Sequence, residues 1–355
     1  MSFRPNRAFI PNPNYNEKDS NRRFNFARKL RNDQREKFRE KNQGLGEFSD
    51  ENSVFYCNQI MTEDYLTSLD YIDGINFLVM PRPLGEKCLL VTKNGRTYLY
   101  GYSGFLIMHF QSFFPVDDLD DDFIILDCIF NQDSNTIFIQ DIQLWERQNL
   151  CDIKAEDRLT YLKTKLEEID TSTNRTNYQF QRLPWVSANN EGLSWVYFSQ
   201  WPFPRDGITF YNKSGSYVHG LNPDVLIWKD SNCSIDCQIR TGNIEVMLRA
   251  KFDGSLQTLE GYTLFKLDKK IMRKNEICHW SVLKCYIWDL DWESHDPKIN
   301  RLEVIAATDR IHPYSWRQVL FLYLFDINPI TYGMIEQALA TQMEYSERMP
   351  ILYLN

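Results

Sequence analysis

From about residue 53 the chain alternates short apolar runs with polar turns. "INFLVMPRP", "EKCLLVTKNG", "RTYLYGYSG", "DFIILDCIFNQDSNTIFIQDIQLWE" and "GITFYNKSGSYVHG" follow one another, broken at Lys93-Asn94-Gly95 and Gln132-Asp133-Ser134-Asn135. Runs of this length between such turn residues predict antiparallel strands. Residues 155–170 repeat at helical spacing instead, with Leu159, Leu162, Leu166 and Ile169 on one stripe. The pattern predicts an antiparallel α+β domain over 53–230. It resumes in an extension, 231–355, with "IEVMLRAKF", "YTLFKLDK", "CHWSVLKCYIWDL" and "RLEVIAAT", then the helical stretches "SWRQVLFLYLF" and "TYGMIEQALATQMEYSE". That order suits a small OB-like β barrel followed by helices.

Upstream of residue 53 the periodicity fades. Residues 1–17 are rich in proline and asparagine and read as disordered. Residues 18–46 are helix-compatible: Asp19 or Ser20 can cap, Asp33 and Lys37 pair at i,i+4, and Gly44 or Gly46 can stop the helix. Its apolar residues, Phe24, Phe26, Ala27, Leu30 and Phe38, are too few to dock firmly on a core.

Charge sharpens this division. Residues 4–41 carry 12 Lys/Arg against 5 Asp/Glu, while the rest of the 355-residue chain carries 28 against 43. A basic arm on an acidic body points to an acidic partner for the arm. The acidic body argues against broad, non-specific nucleic-acid binding, which needs a basic surface, but leaves room for a pocket holding one nucleotide. Aromatics at 14% suit both a β-rich core and a base-stacking pocket. No apolar run approaches the roughly 20 residues that span a bilayer. The start, "MSFRPNRAFIPNPN", is polar, and the eight cysteines read as free thiols of a reducing compartment. Cys233, Cys237, Cys278 and Cys285, with His279, match no standard zinc spacing and read as core thiols.

The candidate chemistry lies in "RDGITFYNKSGSYVHGLNPDVLIWKD", residues 205–230. Asp206-Gly207-Ile208 and "LIWKD" (226–230) resemble late motifs of covalent nucleotidyl transferases, and "IFIQDIQLWE" (137–146) resembles their acid-bearing strand. Such enzymes attack an α-phosphate with a lysine amine from a K-x-D-G motif. Here that position reads Y-I-D-G (71–74), with Tyr71 for the lysine; a phenol with a pKa near 10 and no neighbouring base is a poor substitute. "ATDRIHPY" (307–314) resembles the R-x-D-K-x-x-P-N motif of capping enzymes, with Ala307 at its first arginine. Two vacant catalytic positions point to a pocket without catalysis.

The ordered segments "PRPLGEKCLLVTKNGRTYLYGYSG", "FIILDCIFNQDSNTIFIQDIQLW" and "WPFPRDGITFYNKSGSYVHGLNPDVLIW" resemble the snurportin family over about 56–230. The resemblance implies a guanylyltransferase-like fold without the nucleophile. It implies a non-enzymatic adaptor that reads the 2,2,7-trimethylguanosine cap of spliceosomal small nuclear RNAs and links their particles to importin β, shuttling between cytoplasm and nucleus. No cofactor, metal site or membrane contact is expected, and an export receptor is a candidate further partner. Trp228 stands at the family's base-stacking tryptophan. Thr62, Glu63 and Tyr65 take the places of its leucine, serine and second tryptophan, and Tyr102 that of its phosphate-reaching lysine; Lys87, Lys93 or Arg96 could supply the missing charge. Residues 18–41 resemble the importin β-binding arm through Arg22, Arg23, Arg28, Lys29, Arg31 and Arg35, without an unbroken arginine run. Two alternatives stay open: a guanylyltransferase using a displaced lysine, Lys87 or Lys93, and an interaction protein with a vestigial pocket. Residues 231–355 receive no functional assignment, except that in the vestigial-pocket alternative the function moves to them.

Overall fold

The computed structural model describes residues 59–102, 104, 106–116, 122–169, 176–232, 234, 237, 244–274, 277–292, 294, 297–308 and 313–348. Residues 1–17, the arm at 18–46 with Arg22, Arg23, Arg28, Lys29, Arg31 and Arg35, Cys57, Cys233 and residues 309–312 of the "ATDRIHPY" stretch lie outside the described residues.

Two sheets build residues 61–228. The first takes β1 (Met61–Tyr65), β12 (Gly220–Trp228), β11 (Arg205–Asn212), β2 (Phe77–Pro83) and β10 (Val186–Ser187), in that order. The second runs β5 (Leu106–Phe110), β4 (Arg96–Gly101), β3 (Glu86–Lys93), β6 (Ile124–Asn131), β7 (Thr136–Trp145) and β8 (Gln148–Asn149), with β9 (Gln179–Arg182) also on β7. Pairing is antiparallel except for β1 on β12 and β9 on β7. The expected mostly antiparallel α+β fold is present.

The sheets pack face to face. Met61, Leu78, Met80, Tyr211 and Val225 of the first meet Ile129 and Phe138 of the second in one core cluster. The second sheet's other face carries Cys88, Leu90, Leu126, Cys128, Ile137 and Ile139, closed by Leu162 of α1 (Ala155–Glu168). Burial on both faces explains why β6, "IILDCIFN", reads as a continuous apolar run rather than an alternation. The β3–β4 hairpin turns at Asn94 and Gly95, both at positive φ (49° and 68°), the two-residue loop whose twist matches its strands.

The extension contributes a third sheet, β15 (Thr263–Lys266), β14 (Ser255–Gln257), β13 (Ile244–Ala250), β16 (Val282–Asp291) and β17 (Lys298–Thr308). It curls until its edge strands β15 and β17 touch, giving the expected small barrel. Its core holds Val246, Leu248, Leu256, Leu283, Cys285 and Ile287. Cys237 is buried elsewhere, beside Phe321 and Phe325, and Cys278 is exposed, so these thiols do not converge.

After α3 (Lys269–Lys274) and the last strand, α4 (Trp316–Ile327) and α5 (Tyr332–Arg348) return to the first sheet. Ser315 caps α4, accepting the Gln318 amide at 3.1 Å. Ile335 and Leu339 of α5 join Leu66, Phe77, Val79, Ile208, Phe210 and Trp228, along with Leu193 and Val196 of α2 (Asn190–Phe198), in one cluster. The extension therefore completes a core that the first 230 residues leave open. Among the described residues, no helix is long and apolar enough to cross a membrane.

Candidate functional site

Side chains alternate along a strand, so odd-numbered β1 residues and even-numbered β2 residues face the second sheet. Those positions carry charge: Glu63 on β1 and Arg82 on β2. Opposite them stand Lys87 on β3 and Asp127 on β6. Lys87 Nζ lies 3.2 Å from Glu63 Oε1 and 3.2 Å from Asp127 Oδ1. Gln140 donates to Glu63 at 3.1 Å, and Tyr217 donates its hydroxyl to Asp127 at 2.9 Å. Arg82 reaches Glu63 at 3.8 Å and donates to Asp206 at 2.8 Å. Asp206 also accepts from Lys229 at 2.9 Å and from Ser234 at 2.8 Å.

The D-G and W-K motifs thus meet in space. Asp206 and Lys229 are one ion pair, set by an irregularity between Arg205 and Ile208 where β11 leaves its register with β2. Gly207 takes φ 135°, and a Cβ there would stand 2.6 Å from the Trp228 carbonyl oxygen, so only glycine fits. Asp141, the acid of "IFIQDIQLWE", is paired bidentately with Arg158 of α1 at 2.7 and 2.9 Å, both side chains fully buried.

Glu63, Asp127 and Asp206 balance Arg82, Lys87 and Lys229. Burial works to raise the Glu63 carboxyl, but Lys87 and Arg82 outweigh it and hold it at about 2. Burial dominates at Asp127 and, with the Glu63 and Asp141 charges, pushes its carboxyl up to about 7 against the pull of Lys87. For Lys87 burial works downward, yet Asp127 and Glu63 raise its pKa overall.

The sequence-assigned contacts do not gather at one point. Trp228 is 1% exposed, in the cluster closed by α5, and its indole N–H donates to the Ile330 carbonyl at 2.9 Å. This corrects the expectation of an open stacking face there: the extension covers the ring. Tyr65 is half-buried and stacks on Phe321 of α4, centroids 4.4 Å apart at 18°. A sandwiched base needs about 7 Å, two gaps of about 3.5 Å, so none fits between these rings. Tyr65 pairs with Ile227 across the parallel β1–β12 ladder, which places Trp228 and Tyr65 on opposite faces of the sheet. They cannot be the two halves of one aromatic clamp.

The polar candidates also separate. Glu63, at the position of the family's serine, has its carboxylate taken up by Lys87, Arg82 and Gln140. Thr62 lies on β1, facing away from the network. Tyr102 packs beside Tyr100 and Ile60. Lys87 and Lys93, candidates for the missing phosphate charge, both have buried side chains. They stand at opposite ends of β3, about 20 Å apart at 3.3 Å per residue, and cannot serve one phosphate. Lys93 lies 5.9 Å from the Tyr98 ring, and Arg96, exposed at the hairpin, meets His109 at 3.4 Å.

Sequence reasoning missed Arg82, Asp127, Tyr217 and Phe321. Asp127 had a signal, a lone charge inside "IILDCIF"; Arg82, between two prolines, had none that separates it from a surface arginine.

Residues 59–230 match the family model described as Snurportin1, m3G cap-binding domain. Among solved structures the chain is similar, at 11% identity, to a mycobacterial DNA ligase D complexed with ATP and MES, over 74% of this chain and 97% of that one, with a TM-score of 0.37. It is similar, also at 11% identity, to a Chlorella virus DNA ligase-adenylate, over 71% of this chain and 98% of that one, with a TM-score of 0.33. The two-sheet domain at 59–230 is thus similar to the Snurportin1 m3G cap-binding domain family.

Proposed function

We propose that this protein is a non-enzymatic reader of the 2,2,7-trimethylguanosine cap that links capped small nuclear ribonucleoproteins to importin β and shuttles between cytoplasm and nucleus. The match of 59–230 to a cap-binding domain family carries the reading. The state of the lysines supports the non-enzymatic part. A nucleophilic lysine needs a lowered pKa and a free amine. Lys87 has a raised pKa and two carboxylates on its amine. Lys93 stands at the far end of the same strand.

Tyr65 is the aromatic contact proposed for the methylated guanine, through stacking and cation–π attraction to a cationic base. Arg22, Arg23, Arg28, Lys29, Arg31 and Arg35 would engage the import receptor.

Tryptophan-fluorescence titration with trimethylguanosine cap, 7-methylguanosine cap and GTP tests the reading on wild type and Tyr65→Ala. Quenching by the trimethyl cap, weaker with the other two and reduced in the variant, is the expected result. A covalent adduct with GTP and a divalent metal would overturn it in favour of a guanylyltransferase. Absence of quenching by all three would favour an interaction protein with a vestigial pocket; the coverage of Trp228 by α5 is the observation on that side. Co-precipitation with importin β, lost when Arg22 and Arg23 are replaced by Glu, tests the arm.

A further inference from the structure

On the barrel, two turns bring cations and exposed rings together. The Trp280 amide donates to the Ala250 carbonyl at 2.9 Å and the Ala250 amide to the Ser281 carbonyl at 2.9 Å, tying residues 249–252 to residues 278–281. Lys251 Nζ sits 3.5 Å over the Trp280 ring, and the Arg249 guanidinium is 5.2 Å from it. The Phe252 ring stacks on His279 at 4.0 Å and 25°. Phe252 is 78% exposed and Trp280 52%, so neither ring is fixed there by core burial.

The backbone makes the placement more telling. Trp280 has φ 72°, the left-handed region where a bulky side chain is strained and Asn or Gly is at ease. The charge is local too. Residues 247–284 hold eight Lys/Arg against four Asp/Glu, in a chain of net charge −8. Two of those cations, Lys270 and Arg273, lie exposed on α3.

We infer that these turns form a stacking platform for single-stranded RNA, a second RNA contact outside the matched cap-binding domain. Exposed aromatic faces accept bases of any sequence, and interleaved cations follow the phosphates. An acidic peptide would satisfy the cations and leave the rings without a role. The platform is inferred from these turns alone; only its being a second RNA contact rests on the cap reading.

The test uses the full chain and a fluorescein-labelled, uncapped 12-mer oligouridylate, followed by anisotropy at several salt concentrations. Trp280→Asn, which relaxes the backbone, combined with Phe252→Ala should weaken binding about 10-fold or more. Lys251→Ala should lower the slope of log affinity against log salt by about 0.7. Retained trimethyl-cap quenching in these variants would support two separate sites. Unchanged affinity and slope in both variants, or no oligouridylate binding by wild type, would overturn the inference. So would a 12-mer of glutamate that binds as tightly with the same dependence on Trp280, or loss of cap and RNA binding together.

Discussion

Lys87 bridges Glu63 and Asp127, a carboxylate from each of the two sheets, at 3.2 Å to both. The amine that could have served as a displaced nucleophile is instead the tie between the sheets. Lys87→Met leaves two buried carboxylates without it and should cost about 3–5 kcal/mol, measured by urea unfolding. A loss below 1 kcal/mol would mean that Arg82, Gln140 and Tyr217 satisfy the pair unaided.

Asp127 makes stability depend on pH near neutrality. The folded state holds its proton up to about 7, whereas the unfolded state releases it near the ordinary 3.8. Between those values the folded state binds more protons, so stability falls as pH rises from about 4 to 7, by at most about 1.4 kcal/mol per unit. Asp127→Asn should flatten that decline in unfolding curves taken from pH 4.5 to 7.5.

Glu63 acts in a separate window with the opposite sign. Its folded pKa of about 2 lies below the ordinary 4.5, so its contribution is complete above 4.5 and is lost as pH falls toward 2. In Glu63→Gln the acid limb of the stability profile should be shallower than in wild type. An identical limb would assign acid unfolding to other carboxylates.

Trp228 and Tyr65 should separate stability from binding. Trp228→Ala empties a packed site and should cost about 3–5 kcal/mol of unfolding free energy. Tyr65→Ala removes a half-buried ring and should cost less while weakening cap quenching. If Trp228→Phe folds as wild type yet loses all cap binding, the division of roles proposed here is wrong.

Gly207→Ala should destabilise by about 1–3 kcal/mol or more, through backbone strain at φ 135° together with the clash of its Cβ with the Trp228 carbonyl. Melting and cap titration on this variant would report whether the Asp206–Lys229 pair matters beyond stability.

The strands were legible where periodicity is local. β3, β4, β6, β7 and α1 fall within the runs that apolar spacing marks, and Asn94-Gly95 announces its own turn. That Tyr71 and Ala307 stand in motif-like runs can be read from residue order alone, which needs no coordinates. The charge network was not, because its partners are distant: Arg82 and Asp206 are 124 residues apart, Lys87 and Asp127 40. Nor was the facing of Trp228. "LIWKD" reads alike for a stacked and a sealed tryptophan, and a register shift between Glu63 and Asp64 sets which β12 residues share a face with Tyr65.

The bond from Trp228 to the Ile330 carbonyl has a bearing on where this protein can be cut. The family match ends at residue 230, but the buried core around Trp228 does not. A fragment stopping there would expose Trp228, Phe210, Val79 and their neighbours as one apolar surface, a site for aggregation. Chain length after residue 230 is then part of the domain's solubility, and a minimal folded fragment must run through Leu339.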